Sequence, residues 1–166
     1  MAQTKLGGEP INTVGELPAV GSPAPPFTLT GGDLSEVTLD KFAGQRLVLN
    51  IFPSIDTKVC AASVRRFNEL AAGMNNAAVL NVSADLPFAQ GRFCGAEGIE
   101  RVQSASTFRN PEFGDAYGTR LADGKLAGLM ARAVVVVDEN GTVSYTELVP
   151  EIGQEPDYDG ALSALK

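Results

Sequence analysis

A chain of 166 residues with 44% hydrophobic and 20% charged content is sized for one domain (1–166) with a full apolar core, neither disordered nor disulfide-dense. Its net charge of −7 argues against a nucleic-acid surface and against an anionic membrane face. Histidine is absent altogether, which removes Ser-His-Asp and Cys-His nucleophile pairs and histidine metal sites. The two cysteines do not complete a four-thiolate metal site either.

No run approaches the ~18 apolar residues of a membrane span. The start, MAQTKLGGEPINTVGE, lacks the apolar core behind a basic flank that marks a signal peptide. The expected setting is therefore the cytoplasm, where a persistent structural disulfide is unusual.

In chain order, residues 10–20 (PINTVGELPAV) read as short extended pieces around Gly15 and Pro18, arranged as a hairpin. GSPAPPF, 21–27, is a rigid connector, because core-like sequence resumes at once. FTLTGGDLSEVTLDKFAG gives a strand, a glycine turn and a second extended piece, with Asp40 as a cap for one helical turn. Arg46 to Phe52 is a near-continuous apolar run ending at Pro53, a strand buried on both faces. Cys60, Val64, Phe67 and Ala71 then recur at helical spacing, with Asp56 or Thr57 placed to cap the helix. Ala77 to Ser83 is a second buried strand, completing a βαβ unit whose strands should pair in parallel.

A weaker helix follows around PFAQGRFCGAEGIERV, interrupted by Gly91, Gly95 and Gly98 at a cost of roughly 1 kcal/mol each. AVVVVDENGTVSYTELV is a hairpin turning through Asn140-Gly141, and DYDGALSALK ends the chain as a short helix. This order implies an α/β sandwich with a mixed central sheet and helices on both faces.

Cys60 stands where a buried strand hands over to a helix, the place where open α/β sheets carry reactive groups. With Thr57 as cap it falls in the first helical turn, near unpaired N–H groups that favour a thiolate. The competing reading is an inert core cysteine on the stripe with Val64 and Phe67. At an ordinary thiol pKa about 3% of a cysteine is ionised at pH 7, so full ionisation gains roughly thirtyfold at most. Larger acceleration needs groups that align a substrate and stabilise charge on its leaving atom. Thr57 supplies a hydroxyl. Arg132, entering the buried run AVVVV, supplies a permanently charged fork unless it is a solvated strand-end residue. Arg65 and Arg66 read as solvated-face residues, and so does Lys58, though as a weak exception it could still face Cys60.

Cys94 lies in the interrupted helix. A structural cross-link to Cys60 would contribute about 3–4 kcal/mol in the chain-entropy model, but the expected compartment disfavours it. A resolving thiol that condenses with oxidised Cys60 is the functional reading, and an unrelated buried cysteine the bland one.

INTVGELPAVGSPAP, LNIFPSIDTKVCAASVRRFN and DLPFAQGRFCGAEG, with AYGTRLADGKLAGLMARAVVVVDENG, make the chain resemble the bacterial thiol peroxidases over nearly its whole length. These are atypical two-cysteine peroxiredoxins of thioredoxin-like fold. The Pro-x-x-x-Thr-x-x-Cys element carries the peroxiredoxin likeness, and PSIDTxVC with the downstream RFC narrows it to this subfamily. The resemblance implies reduction of hydrogen peroxide and organic hydroperoxides at the expense of thioredoxin. Cys60 would be the peroxidatic cysteine and Cys94 the resolving one, joined in an intramolecular disulfide. Thr57 and Arg132 would hold the thiolate and polarise the peroxide, and Pro53 would shield the pocket. It further implies a homodimer with no metal, haem or flavin.

Two other readings compete with the enzyme: a peroxide-responsive sensor using the same disulfide, and a thioredoxin-like binding domain with inert thiols. A disulfide reductase is disfavoured, because no Cys-x-x-Cys is present. Phe52, Phe88 and Phe93 are candidates for an apolar approach to the site.

Overall fold

The run Arg46–Ile51 is buried at every position after the first and forms an interior strand of the principal sheet. The computed structural model describes the whole chain, Met1–Lys166. In chain order its elements are β1 (Gln3–Leu6), β2 (Glu9–Asn12), β3 (Thr28–Gly31), β4 (Glu36–Thr38), β5 (Arg46–Ile51), α1 (Lys58–Ala71) and β6 (Ala77–Ser83). There follow α2 (Pro87–Glu97), β7 (Gln103–Ser106), α3 (Glu112–Ala116), β8 (Ala133–Val137), β9 (Val143–Leu148) and α4 (Tyr158–Ser163).

Seven strands make one sheet in the order β4-β3-β7-β6-β5-β8-β9, and β1 pairs with β2 apart from it. β5, β6 and β7 run parallel, while β8 runs against β5 with Ile51 opposite Ala133. The sheet is therefore mixed, as the sequence implies. This register has a local consequence. The residues just after β5 and just before β8 meet at one edge of the sheet, which brings the Pro53–Cys60 segment beside Arg132.

Alternation along the central strands feeds two cores. Leu47, Leu49 and Ile51 of β5 face a cluster with Phe27, Phe113 and Tyr117. Val48 of β5 and Val134 and Val136 of β8 face Cys60, Val64 and Phe67 of α1. Full burial of a side chain such as Phe67 contributes about 1.5–3 kcal/mol, so the α1 face is bound firmly to the sheet. The α/β sandwich with an N-terminal hairpin is the thioredoxin-like arrangement expected from the sequence.

The differences are local. The hairpin turns at Gly7-Gly8, with φ of 59° and 85°, rather than around Gly15 and Pro18. Positive φ at both turn residues is what a two-residue hairpin needs, and adjacent glycines adopt it without strain. Asp40 lies inside the helical turn Leu39–Phe42, whose cap position is Thr38. β7 and α3 were not anticipated. QSAS carries no apolar alternation and is a strand because β6 offers it a parallel edge.

Candidate active site

β5 delivers the chain to Phe52 and a buried Pro53, and a tight loop then enters α1. The loop is closed on Ser54, whose carbonyl accepts from Thr57 N at 3.2 Å and Thr57 Oγ1 at 2.8 Å. Thr57 has the extended backbone of a cap (φ −115°, ψ 151°), and its carbonyl receives Ala61 N. Its hydroxyl makes no capping bond to the helix amides; its proton goes to Ser54 O and its lone pairs remain free. Asp56 does not cap either and instead pairs with Arg92 at 3.2 Å.

Cys60 sits in the first turn of α1 with 0% of its surface exposed. Its carbonyl accepts from Ser63 Oγ at 2.8 Å. Ser63 in turn receives Asn50 Nδ2 at 3.3 Å, and the same amide donates to Asn81 Oδ1 at 3.0 Å. Two asparagines in register on β5 and β6 thus anchor the turn that carries the sulfur.

Arg132, 1% exposed, is the one cation in the interior. Its Nη2 donates to Cys60 Sγ at 3.2 Å and its Nε to Ile152 O at 2.8 Å, while its buried Nη1 has no protein partner. Burying a guanidinium with a free donor is costly unless that donor serves something. A permanent positive charge beside sulfur stabilises negative charge there. Ile152 belongs to a strap after β9 that the hairpin holds. Ile152 N donates to Lys5 O, Thr4 Oγ1 to Val149 O, and Gly7 N and Gly8 N to the Glu151 carboxylate.

A cleft of about 310 Å³ opens onto Pro53, Thr57 and Arg132. Leu6, Val59, Leu126, Leu129 and Ile152 make its apolar walls. Cys60 lies behind it, covered. None of Phe52, Phe88 or Phe93 lines this cleft. Phe52 is core at 1% exposure, Phe88 points outward at 69%, and Phe93 lies under Arg65. The apolar approach comes instead from the hairpin, the 126–129 turn and the strap, segments far from Cys60 in sequence.

Cys94 is half-buried near the end of α2, its sulfur 3.8 Å from Ser104 Oγ. Burial pushes its thiol up, partly opposed by that hydrogen bond. Both cysteines are free thiols, and both contact the apolar cluster on the α1 face. Arg65 and Arg66 project outward to Glu97 and Glu69, and Lys58 is exposed.

Sequence reasoning missed Asp85. Its Oδ1 accepts from Ser54 Oγ at 2.6 Å, and its Oδ2 accepts from Ile55 N at 2.7 Å and Ser83 Oγ at 2.6 Å. The available signal was a carboxylate two residues past a buried parallel strand, at the edge where Cys60 also lies.

Chemically, the site offers one sulfur, one fixed cation with a spare donor, one hydroxyl and an apolar entry. That set suits attack by sulfur on a small polarisable bond with charge released onto oxygen.

The redoxin family model matches residues 19–162. Thiol peroxidases of Mycobacterium bovis and Mycobacterium tuberculosis are each 64% identical over 165 residues, covering 99% of this chain and 99% of theirs. Among solved structures, a peroxiredoxin-like protein from Aquifex aeolicus superposes with a TM-score of 0.94 at 39% identity, covering 99% of this chain and 96% of that one. A thiol peroxidase from Chromobacterium violaceum gives 0.91 at 20% identity, covering 98% and 94%, a likeness of fold.

Proposed function

The chain belongs to the redoxin family and, within it, to the thiol peroxidases; from that premise we propose that Cys60 is the sulfur that reduces hydroperoxides and Cys94 the thiol that resolves it. The Cys60 thiolate attacks the distal oxygen of ROOH, the O–O bond breaks, and the alkoxide leaves to be protonated as ROH. Cys60 is then a sulfenic acid. The Cys94 thiol condenses with it, forming the S–S bond and releasing water. A dithiol, thioredoxin, reduces the disulfide by exchange and restores both thiols.

Arg132 has two tasks in this scheme. Nη2 holds the sulfur and Nη1 meets the departing oxygen, so one rigid fork spans nucleophile and leaving group. Thr57 Oγ1, already donating to Ser54 O, offers a lone pair to the O–H of the hydroperoxide. Pro53 keeps water from the sulfur. The apolar cleft favours alkyl over hydrogen peroxide.

The observation that carries the reading is the hydrogen bond from Arg132 Nη2 to Cys60 Sγ. It is tested by mixing the reduced protein with one equivalent of cumene hydroperoxide and mapping the product by mass spectrometry. Rapid loss of both thiols into a Cys60–Cys94 bond, abolished by Cys60→Ser, is expected. Oxidation no faster than that of free cysteine would end the proposal.

The whole chain, 1–166, acts as one domain in a reducing cytoplasm. A homodimer is supported by three exposed apolar side chains, Leu86, Phe88 and Phe108, near the carboxyl ends of the adjacent strands β6 and β7. Sedimentation of Phe88→Asp as a monomer, beside a dimeric parent, is the expected result. No helix is long and apolar enough to cross a membrane.

A further inference from the structure

Cys60 is a fully covered free thiol whose sulfur rests on Arg132, so its condensation with Cys94 draws the start of α1 away from Arg132. What ties the segments of the two cysteines together is therefore part of the reaction. Asp85 occupies the joint. It reaches across to the Cys60 loop through Ser54 Oγ and Ile55 N, and back along its own strand to Ser83 Oγ. Ser83 Oγ in turn receives Gln90 Nε2 from within α2, an amide that also donates to Ala105 O. One carboxylate thus ties the loop that carries the proposed peroxidatic sulfur to the helix that carries its proposed partner.

The bonds are short and charge-assisted, the strong class of protein hydrogen bond. Nothing else on the loop replaces them. Ser54 Oγ receives only Asp56 N besides, and the Asp56–Arg92 pair is exposed on both sides and weak. Resting on the two-cysteine reading above, we propose that Asp85 is a positioning residue. Its clamp keeps Cys60 against Arg132 for peroxide attack and restrains the opening that lets Cys94 condense. It therefore sets how long the sulfenic acid persists. A persistent sulfenic acid can take a second peroxide, giving the sulfinic acid and a second ROH. Asp85 thereby sets the share of each turnover lost to over-oxidation.

Asp85→Asn removes the charge, so every arm of the clamp loses its charge assistance even where a serine hydroxyl turns to accept from the new amide N–H₂. Ser54→Ala removes one arm alone and leaves the carboxylate. Both variants, reduced and checked by circular dichroism to be folded at the assay temperature, are mixed with a graded excess of cumene hydroperoxide and quenched by alkylation for mass spectrometry. The expected result is a five- to tenfold faster rise of the Cys60–Cys94 bond in Asp85→Asn and a matching fall in Cys60 sulfinic acid, with Ser54→Ala between it and the parent. The first oxidation should become slower, since Cys60 is held less well. A merely structural lesion would slow both steps. Condensation that is unchanged or slower in Asp85→Asn overturns the inference while leaving the two-cysteine cycle standing. Failure of the parent to form the bond at all overturns both.

Discussion

Arg132 is the position where activity and stability should part company. At 1% exposure it uses Nε on Ile152 O and Nη2 on Cys60 Sγ, with Nη1 unpartnered. A hydrogen bond to a charged group contributes about 1.5–3 kcal/mol, and about 1.4 kcal/mol is tenfold in rate. Loss of the Nη2 contact alone then costs roughly 10- to 150-fold. Arg132→Lys keeps the charge, but one ammonium cannot serve Ile152 O, the sulfur and the departing oxygen in the same geometry. Its second-order rate with cumene hydroperoxide should fall about 100-fold. Arg132→Met should fall further. Yet exchanging this incompletely paired charge for an apolar side chain of like length removes the cost of burying a guanidinium, and the Cys60 sulfur left behind can take a proton instead of remaining an unpaired charge. Against this, Ile152 O loses a donor, about 1–3 kcal/mol, so the net stability change is near zero. Competition kinetics give the rate and urea unfolding the stability. A Lys variant within threefold of the parent, or a Met variant destabilised by more than about 3 kcal/mol, would refute this account and make the guanidinium a structural post.

The Glu151 carboxyl is held below its usual range by Gly8 N–H and Gly7 N–H, and that of Asp123 by the backbone and then the side-chain amide of Asn12. A lowered carboxyl stabilises the hairpin fully above the unfolded value, about 4, and that contribution is lost as pH falls through the folded value. The amide resonances of Gly7 and Gly8 should therefore shift together below about pH 4 and stay fixed in Glu151→Gln; a shift that persists in the variant rules out the assignment. Gly118 has φ 65°, and a Cβ there would lie 2.1 Å from Glu16 O. Gly118→Ala should lose about 3 kcal/mol or more and roughly 6–12 °C in melting temperature; a loss under about 1 kcal/mol would mean the two segments part easily. Cys94→Ser should consume one equivalent of peroxide near the parent rate and stop with Cys60 as a sulfenic acid, read as a gain of one oxygen by intact mass spectrometry, whereas continued turnover would exclude Cys94 as the resolving thiol. Because burial raises the Cys94 thiol, condensation should still be accelerating above about pH 8, and a flat profile there would contradict it.

The parts of the fold that could be read in advance are those whose signal is local. β5, β6 and β8 announce themselves as apolar runs because both of their faces are buried, and α1 by its stripe from Cys60 to Phe67. Gly98, with φ 65°, ends α2 as a left-handed cap should. Arg132 was legible as a strand-entry cation. Its pairing with Cys60, 72 residues away, depends on β8 lying beside β5, which no local pattern encodes. The hydroxyl of Thr57 gives its proton to the Ser54 carbonyl three residues back and makes no bond to the helix amides, an orientation that residue type alone does not fix. The walls of the cleft eluded the sequence for the same reason as the Asp85 clamp. Each is assembled from segments that the chain brings together only after the sheet order is set.

The complete covering of Cys60 bears on how this molecule would behave toward reagents in general. A sulfur with no exposed surface, behind a cleft that ends at a guanidinium, discriminates by shape before it discriminates by reactivity. A slender hydroperoxide can present its distal oxygen there, but a maleimide or an aromatic disulfide cannot bring its bulk along. Half-buried Cys94 meets such reagents first. Chemical labelling would then rank the two thiols in the reverse of their proposed catalytic order, and the hidden one would be insulated from the mixed disulfides that abundant small thiols impose on exposed cysteines.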